Sequence, residues 1–417
     1  MPANRQVIVV HYHELWLKGG NRRFFLGKLI VALRKALEGI PVRRIGQPSD
    51  RILLEFGEGA QLDEALARLA RVFGVANYAL ARRTDRDLEA ICRAAWEEVC
   101  GEVFSSFAVR TKRSDKSFPM RANEVERRVG RYLLERLREA GRNVRVGLDA
   151  PELTCRIEIT ADDALIYARK ILGAGGLPAN TAGRVLCLLS GGFDSAVAAY
   201  KMMKRGAHVS FVHFYGAGAR PGESSLHVAR ELVRHLTPYQ FTSRLYLVPF
   251  EPIQREIVRR APERYRVLLY RRMMLRIAER LARRDRALAL VTGDSLAQVA
   301  SQTLHNLVAV GAAVQLPLFR PLLGEDKQQI LAVARQIGTY AISAEPFHDC
   351  CPLFLPRVPA LHCSAGELDT AEALLDLEEL VRRGVAATQL ERYRWTAGRV
   401  VPVEAVRAIP ASSSGSA

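Results

Sequence analysis

Val185-Leu186-Cys187-Leu188-Leu189-Ser190-Gly191-Gly192-Phe193-Asp194-Ser195 is the stretch whose reading decides the fold. Five apolar residues in a row describe a strand buried on both faces, the pattern of a parallel sheet. Two glycines then let the backbone turn sharply, and a helix is expected to begin at Asp194-Ser195. A strand that turns through glycines into a helix aims backbone N–H groups and the positive end of the helix dipole at one spot, which suits a phosphate or pyrophosphate. The spacing is not G-x-x-x-x-G-K-[ST]. Nor does Gly216-Ala217-Gly218-Ala219-Arg220-Pro221-Gly222 supply a dinucleotide fingerprint, because a proline stands where the helix should start. The plainer alternative is a glycine turn followed by a helix-capping Asp194.

Outward from this loop, apolar runs alternate with helical patterns. Strands are expected at Val209 to Tyr215, Arg244 to Pro249 and Leu288 to Thr292, with helices to Lys204, near Ser225 to Arg234, and ending at Arg284. That alternation predicts a doubly wound parallel sheet, an α/β fold. Upstream, the glycines and proline of 173–183 mark a linker. Before it, a small α+β unit (1–76) combines strands Gln6 to Tyr12 and Arg51 to Phe56 with helices around Phe24 to Leu37 and Leu62 to Val72. A second block (77–172) carries strand Phe107 to Thr111, a basic loop from Lys112 to Pro119, a helix from Asn123 to about Ala140, and strands Leu153 to Ile159 and Ala164 to Lys170. The third domain is 184–410, and the Ser/Gly/Ala-rich tail 411–417 is expected to be disordered.

Of the 417 residues, 49% are hydrophobic and 25% charged, an ordinary globular balance. No run reaches the roughly 18 apolar residues of a membrane helix, and no signal peptide opens the chain, so a cytoplasmic protein without a membrane partner is expected. Seven irregular cysteines argue for thiols rather than a disulfide framework. The net charge of +17 is unevenly spread: Arg110 to Arg145 holds 12 basic against 5 acidic residues, and Arg255 to Arg286 holds 12 against 4. A nucleic acid rewards such concentration through counterion release; a solvated arginine-rich surface is the alternative. In the helix after the basic loop, Val125, Val129, Leu133 and Leu137 form the buried stripe. At 100° per residue Arg127, Arg131 and Arg138 lie within about 40° of one another on another face, a candidate phosphate-binding surface.

Ser190-Gly191-Gly192-Phe193-Asp194-Ser195 resembles the pyrophosphate loop of the PP-loop ATPases, which adenylate a carbonyl oxygen. Further motifs narrow the resemblance. Glu14-Leu15-Trp16-Leu17-Lys18-Gly19-Gly20-Asn21, Val72-Phe73-Gly74-Val75 and Arg110-Thr111-Lys112-Arg113-Ser114-Asp115-Lys116-Ser117-Phe118-Pro119-Met120 look like the N-terminal ferredoxin-like and THUMP domains of the tRNA 4-thiouridine synthetases. Arg271-Arg272-Met273-Met274, Thr292-Gly293-Asp294-Ser295, Gln298-Val299-Ala300-Ser301-Gln302, Arg320-Pro321-Leu322 and Asp326-Lys327-Gln328 look like that family's PP-loop half. The resemblance implies ATP-dependent replacement of oxygen by sulfur at C4 of uridine 8 in tRNA, with a possible second sulfur role in thiamine thiazole synthesis. It implies that Ser190, Gly191, Gly192, Asp194 and Ser195 organise Mg²⁺ and pyrophosphate, that Lys327 neutralises phosphate charge, and that Leu188, Leu189, His213, Phe214, Arg271, Gly293 and Gln302 surround the adenosine. Lys112, Arg113, Lys116, Arg121, Arg127 and Arg131 would meet the tRNA, and relatives imply a homodimer. The rival readings are another PP-loop tRNA-modifying enzyme, which would need no cysteine, and a non-catalytic tRNA-binding protein.

The family keeps its sulfur-handling cysteine where this chain has Phe347-His348-Asp349-Cys350-Cys351-Pro352, and the spacing to the following apolar run selects Cys351. A persulfide there would be nucleophilic at neutral pH. Two departures stand out. The expected Arg-Tyr-Gly-Glu reads His11-Tyr12-His13-Glu14, and only 66 residues follow Cys351, too few for the rhodanese domain of longer members. A separate sulfur donor, a cysteine desulfurase or sulfide, is therefore expected. The thiol that releases the product would be Cys363 ahead of Cys350, because adjacent cysteines form a strained disulfide whereas one twelve positions on closes easily. With a persulfide donor and adenylated tRNA, Cys351→Ser should fail even in excess dithiothreitol, and Cys363→Ser should be rescued by it. Full turnover by Cys351→Ser together with failure of Cys350→Ser would reverse the choice.

Overall fold

The computed structural model describes residues 6–48, 50–216, 225–345 and 359–406. The chain divides into two compact units, Met1–Leu177 and Pro178–Ala417. The linker is not loose at either end. Gly173 and Gly175 donate to Ala76 and Val75 carbonyls in the first unit, and Thr181 and Ala182 donate to Gly206 in the second.

The first unit runs β1 (Gln6–His11), α1 (Arg22–Ala36), β2 (Val42–Gly46), β3 (Arg51–Phe56), α2 (Leu62–Leu69), β4 (Asn77–Thr84), α3 (Leu88–Val99), β5 (Ser106–Arg113), α4 (Ala122–Glu139), β6 (Arg145–Val146), β7 (Leu153–Ile159), β8 (Ala164–Tyr167) and β9 (Ile171–Leu172). The strands form a single sheet in the order β2-β3-β1-β4-β8-β7-β5-β6, with β9 on β4. β4 pairs antiparallel with β1 on one edge and β8 on the other. The two N-terminal blocks therefore share a sheet, and a boundary drawn between residues 76 and 77 falls at the first residue of the strand that joins them. The expected stripe of α4 is fully buried at Val125, Val129, Leu133 and Leu137.

Inside this unit lies a charged network. Arg51 is wholly buried; its guanidinium pairs with Glu158 and with Asp50 at 2.8 Å. Glu158 also accepts from His11 Nε2 at 2.8 Å and from the Tyr167 hydroxyl at 2.7 Å. Lys112 pairs with Asp50. β1, β3, β5, β7 and β8 all contribute.

The second unit follows as β10 (Arg184–Leu188), α5 (Phe193–Lys204), β11 (His208–Tyr215), α6 (Ser225–Leu236), β12 (Thr242–Pro249), α7 (Glu251–Arg260), α8 (Arg266–Arg284), β13 (Ala289–Val291), α9 (Leu304–Gly311), β14 (Leu318–Phe319), α10 (Lys327–Ile337), α11 (Tyr340–Ser343), α12 (Ala365–Glu372), α13 (Leu377–Ala386), β15 (Gln389–Thr396) and β16 (Arg399–Val406). The sheet order is β14-β13-β10-β11-β12-β15-β16, parallel through β12 and antiparallel at β15 and β16. The parallel sheet is as expected. The long helix ending at Arg284 is instead two helices, interrupted at Ala261-Pro262, where a proline cannot continue the ladder. β10 leads to β11 and β12 on one side, and the chain then returns to β13 on the other. Such a switch of direction opens a crevice at the carboxyl ends of the two central strands. Among the described residues no helix is long and apolar enough to cross a membrane.

The buried network makes the first unit acid-sensitive. Burial pushes the Asp50 carboxyl up, but hydrogen bonds from Lys112 and Arg51 outweigh this and hold it at about 2. Burial likewise raises Glu158, and the His11 hydrogen bond with the His11 and Arg51 charges brings it below the ordinary glutamate value. Depressed carboxyls lend stability above their unfolded pKa and lose it as pH falls through the folded value. Glu158→Gln should cost about 3 kcal/mol at pH 7, because Arg51 is left buried with a weakened partner, and the difference from wild type should shrink towards pH 3. Urea midpoints of both proteins at the two pH values test this; coincident midpoints at pH 7 would show that the network contributes nothing.

Candidate active site

Gly191, at φ 93°, makes the turn after β10, and Gly192 sits at the N-cap of α5. No side chain caps this helix. Asp194 therefore does not have the capping role of the plainer reading; it lies in the first turn, and α5 begins at Phe193 rather than at Asp194. The loop is pinned by its serines. Ser190 N–H donates to Ser195 Oγ at 3.1 Å, Gly192 N–H donates to Ser190 Oγ at 3.2 Å, and the Ser195 hydroxyl donates to the Gly192 carbonyl at 3.2 Å. First-turn N–H groups with no side-chain cap, at the positive end of a helix dipole, form an anion site.

Across the crevice, Lys327 Nζ meets Asp194 Oδ1 at 2.6 Å, and Gln298 Nε2 donates to Asp194 Oδ2 at 3.1 Å. Lys327 is the first residue of α10, fixed there by the capping box of Asp326 and Gln329. A cation at a helix N-terminus opposes the dipole, so helix stability does not explain it. Its ammonium also lies 5.6 Å from the centre of the Phe193 ring, which stacks on Tyr340 at 5.1 Å.

Gly293 follows β13, and a β-carbon there would sit 2.6 Å from Ser195 N and 2.7 Å from the Asp194 carbonyl carbon. Its role is the close approach of two elements. Asp294, absent from the residues chosen from sequence, is the hub beside it. It is 5% exposed and accepts from Arg271, from Thr292 Oγ1 at 2.7 Å and from Gln302 Nε2 at 3.3 Å, with Arg320 Nε at 3.4 Å. Burial raises its carboxyl, but Arg271, Thr292 and Arg320 together hold it below the ordinary aspartate value. The signal lay in Thr292-Gly293-Asp294-Ser295, an acidic residue directly after a strand, which a search confined to ligand contacts passes over. Arg271 also donates to the Ser301 carbonyl at 2.8 Å, so both it and Gln302 are held by the same wall.

The remaining predicted residues separate. Leu189 is buried and Leu188 half-buried. Phe214 packs edge-on against Phe250 at 5.4 Å. His213 is fully buried between the Leu189 carbonyl at 2.7 Å and Ser225 Oγ at 2.9 Å, bracing the strand from behind the loop. Cys363 is 3% exposed, and burial together with Glu367 pushes its thiol up. Cys350 and Cys351 lie outside the described residues.

In the first unit Lys116, Arg121, Arg127 and Arg131 are exposed and have no carboxylate partner among the described residues. Lys112, in contrast, is paired with Asp50, and Arg113 donates to the Lys116 carbonyl at 2.7 Å. The second basic run is largely neutralised internally: Arg272 and Arg276 pair with Glu372, Arg280 with Glu378 and Arg283 with Glu279. Its charge excess does not by itself describe an RNA surface.

Family profiles match in order: "ThiI ferredoxin-like domain" over 7–79, "THUMP domain" over 82–169 and "Thiamine biosynthesis protein (ThiI)" over 180–377. A probable tRNA sulfurtransferase of Thermus thermophilus is 44% identical over 95% of this chain and 96% of its own. One from Caldanaerobacter subterraneus is 39% identical over 90% and 97%. A crystal structure of a 4-thiouridine synthetase–RNA complex with bound ATP matches at TM-score 0.82 and 30% identity, covering 93% of this chain and all of that one. The order of the domains and the end-to-end identity agree with the crevice geometry: this chain belongs to the ThiI family of tRNA sulfurtransferases.

Proposed function

We propose that this chain is an ATP-dependent tRNA sulfurtransferase that converts uridine 8 to 4-thiouridine. The observation that carries the reading is the uncapped first turn of α5 with Lys327 across the switch-point crevice, because backbone N–H groups and a nearby cation are what a pyrophosphate requires. The C4 oxygen of uracil is a poor leaving group. Attack of that oxygen on the α-phosphate of ATP releases pyrophosphate and leaves AMP on C4. The loop N–H groups and Lys327 stabilise the charge that develops on the departing pyrophosphate, while Asp294 keeps Arg271 and Gln302 on the adenosine side. Asp194 offers hard carboxylate oxygens suited to Mg²⁺, which when bound would neutralise phosphate charge.

Sulfur then enters from Cys351. The terminal sulfur of its persulfide attacks C4, AMP leaves, and a thiol cleaves the remaining S–S bond, so that sulfur stays on the base and a disulfide remains on the enzyme. Cys363 is our first choice for that thiol; its burial means that it acts only after its segment opens, and otherwise an external thiol takes the step. An external reductant restores the thiols, and a separate donor bearing a persulfide then passes its outer sulfur to the Cys351 thiolate and leaves as a thiol. The same sulfur would serve a second acceptor in thiamine thiazole synthesis, in keeping with the family's description. We place the enzyme in the cytoplasm as a homodimer.

Asp194→Ala should abolish pyrophosphate release while leaving tRNA affinity unchanged, as read by a phosphate-coupled assay and filter binding. Wild-type modification rates in this variant would sink the assignment. On the RNA side, replacing Arg127 and Arg131 by Ser should weaken tRNA binding and reduce the slope of log K against log salt by about one unit per lost contact. Lys112→Ser should change the slope less, because Asp50 already holds that ammonium. Unchanged affinity and slope in the double variant would leave the α4 face as solvated surface only.

A further inference from the structure

A second basic cavity lies at the opposite end of the second unit's sheet. The first residues of β10, β11 and β12, namely Arg184, His208 and Thr242, line a space of about 630 Å³ together with Arg244, Arg284 and Arg286. An adjoining space of about 220 Å³ shares Arg184, His208 and Arg244 and adds Arg392 and Arg394 of β15. The loop after β10 is roughly 16 Å away, five residues along a strand at about 3.3 Å each. The two sites are thus separated by the length of the central strand.

Six arginines gather here around one buried carboxylate, which pairs with only two of them. Asp285 takes Arg184 at 3.0 Å and Arg244, and its other oxygen accepts from Ser210. Arg284, Arg286, Arg392 and Arg394 have no carboxylate partner among the described residues. The C-terminal end of α8 accounts for Arg284 through the helix dipole. It does not account for β15, where register sets Arg392 directly opposite Arg244 and Arg394 opposite Thr242. Asp285 already offsets Arg244, which leaves the Arg392 and Arg394 guanidiniums uncompensated beside it, a placement that an anion would favour. His208 supplies a second observation. Its Nε2 engages Thr242 Oγ1 at 3.2 Å, but its Nδ1 is buried and has no protein partner among the described residues. Burial, reinforced by Arg184, lowers its pKa to about 4, so the ring is neutral at physiological pH; in the tautomer with the proton on Nδ1, where the Thr242 hydroxyl donates to Nε2, that nitrogen is a donor for an oxyanion.

We propose that this cavity binds a phosphate oxyanion, held by the Arg392/Arg394 and Arg284/Arg286 guanidiniums, at a site separate from the nucleotide crevice. Planar guanidinium forks match phosphate geometry and explain why arginine rather than lysine lines it. The phosphate could belong to a free polyphosphate-type anion or to an RNA backbone, and competition separates the two sources.

The test titrates inorganic pyrophosphate into the full chain carrying Asp194→Ala and Lys327→Ala, which silences the loop, with calorimetric detection. Saturable binding is expected, weakened about tenfold or more by Arg392→Ser/Arg394→Ser and, independently, by Arg284→Ser/Arg286→Ser. Displacement of pyrophosphate by tRNA would identify the RNA backbone as the source; retention in saturating tRNA would identify a free oxyanion. Absence of saturable binding, or wild-type affinity in both arginine pairs at unchanged melting temperature, would overturn the proposal. Should one pair fail to fold, the other, from a different element, decides alone.

Discussion

The second unit depends on the approach of β13 to the first turn of α5, which only a residue without a side chain permits. At Gly293 the smallest possible substituent would collide with the backbone of Asp194 and Ser195. Because the two elements touch, the hub carboxylate of Asp294 stands beside the loop, and it gathers the guanidiniums of Arg271 and Arg320 there. A buried carboxylate of this kind orients cations that would otherwise repel each other and leave the crevice. Its low pKa keeps that orientation fixed through the physiological range.

Charge in this chain is arranged rather than merely abundant. α8 carries an arginine on most of its turns, yet α12 and α13 lay glutamates along it, so that face is a packing interface between helices. The first unit keeps Arg127 and Arg131 away from carboxylates, and buries Arg51 among several. Composition sums these three uses into one number. Only the positions of the partners separate a structural arginine from one that faces solvent.

This explains what the sequence disclosed and what it withheld. Residues 185–195 were legible because a buried strand, a double glycine and a helix start impose their own pattern, and the stripe of α4 was legible because its period is strict. β2, β15 and β16 were not: β2 sets two arginines side by side, β15 intersperses charged residues among its apolar ones, β16 carries a proline and a glutamate, and all three lie towards sheet edges where no continuous apolar run is needed. The Ala397-Gly398 turn joining the last two, with φ of 46° and 90°, has an alanine where glycine or asparagine is the usual signal. At the site, the sequence named Asp194 and Lys327, which the fold brings within 2.6 Å, and named His213 as an adenosine neighbour without disclosing that its ring is fully buried between Leu189 and Ser225. A histidine on an apolar strand gives no sign of which side of the sheet it faces. Asp294 was overlooked although its motif was on view, because a residue that holds other residues makes no ligand contact of its own to mark it out.

β4, finally, gives one edge to the ferredoxin-like strands and the other to the THUMP strands. Two modules that can be told apart by ancestry thereby become a single mechanical plate. Its first six residues pair with β1 and its last three with β8, with Arg82 common to both ladders, so opening one half strips an edge from the other. The pair is expected to unfold, exchange amide protons and be inherited as one piece, however separately its halves are recognised.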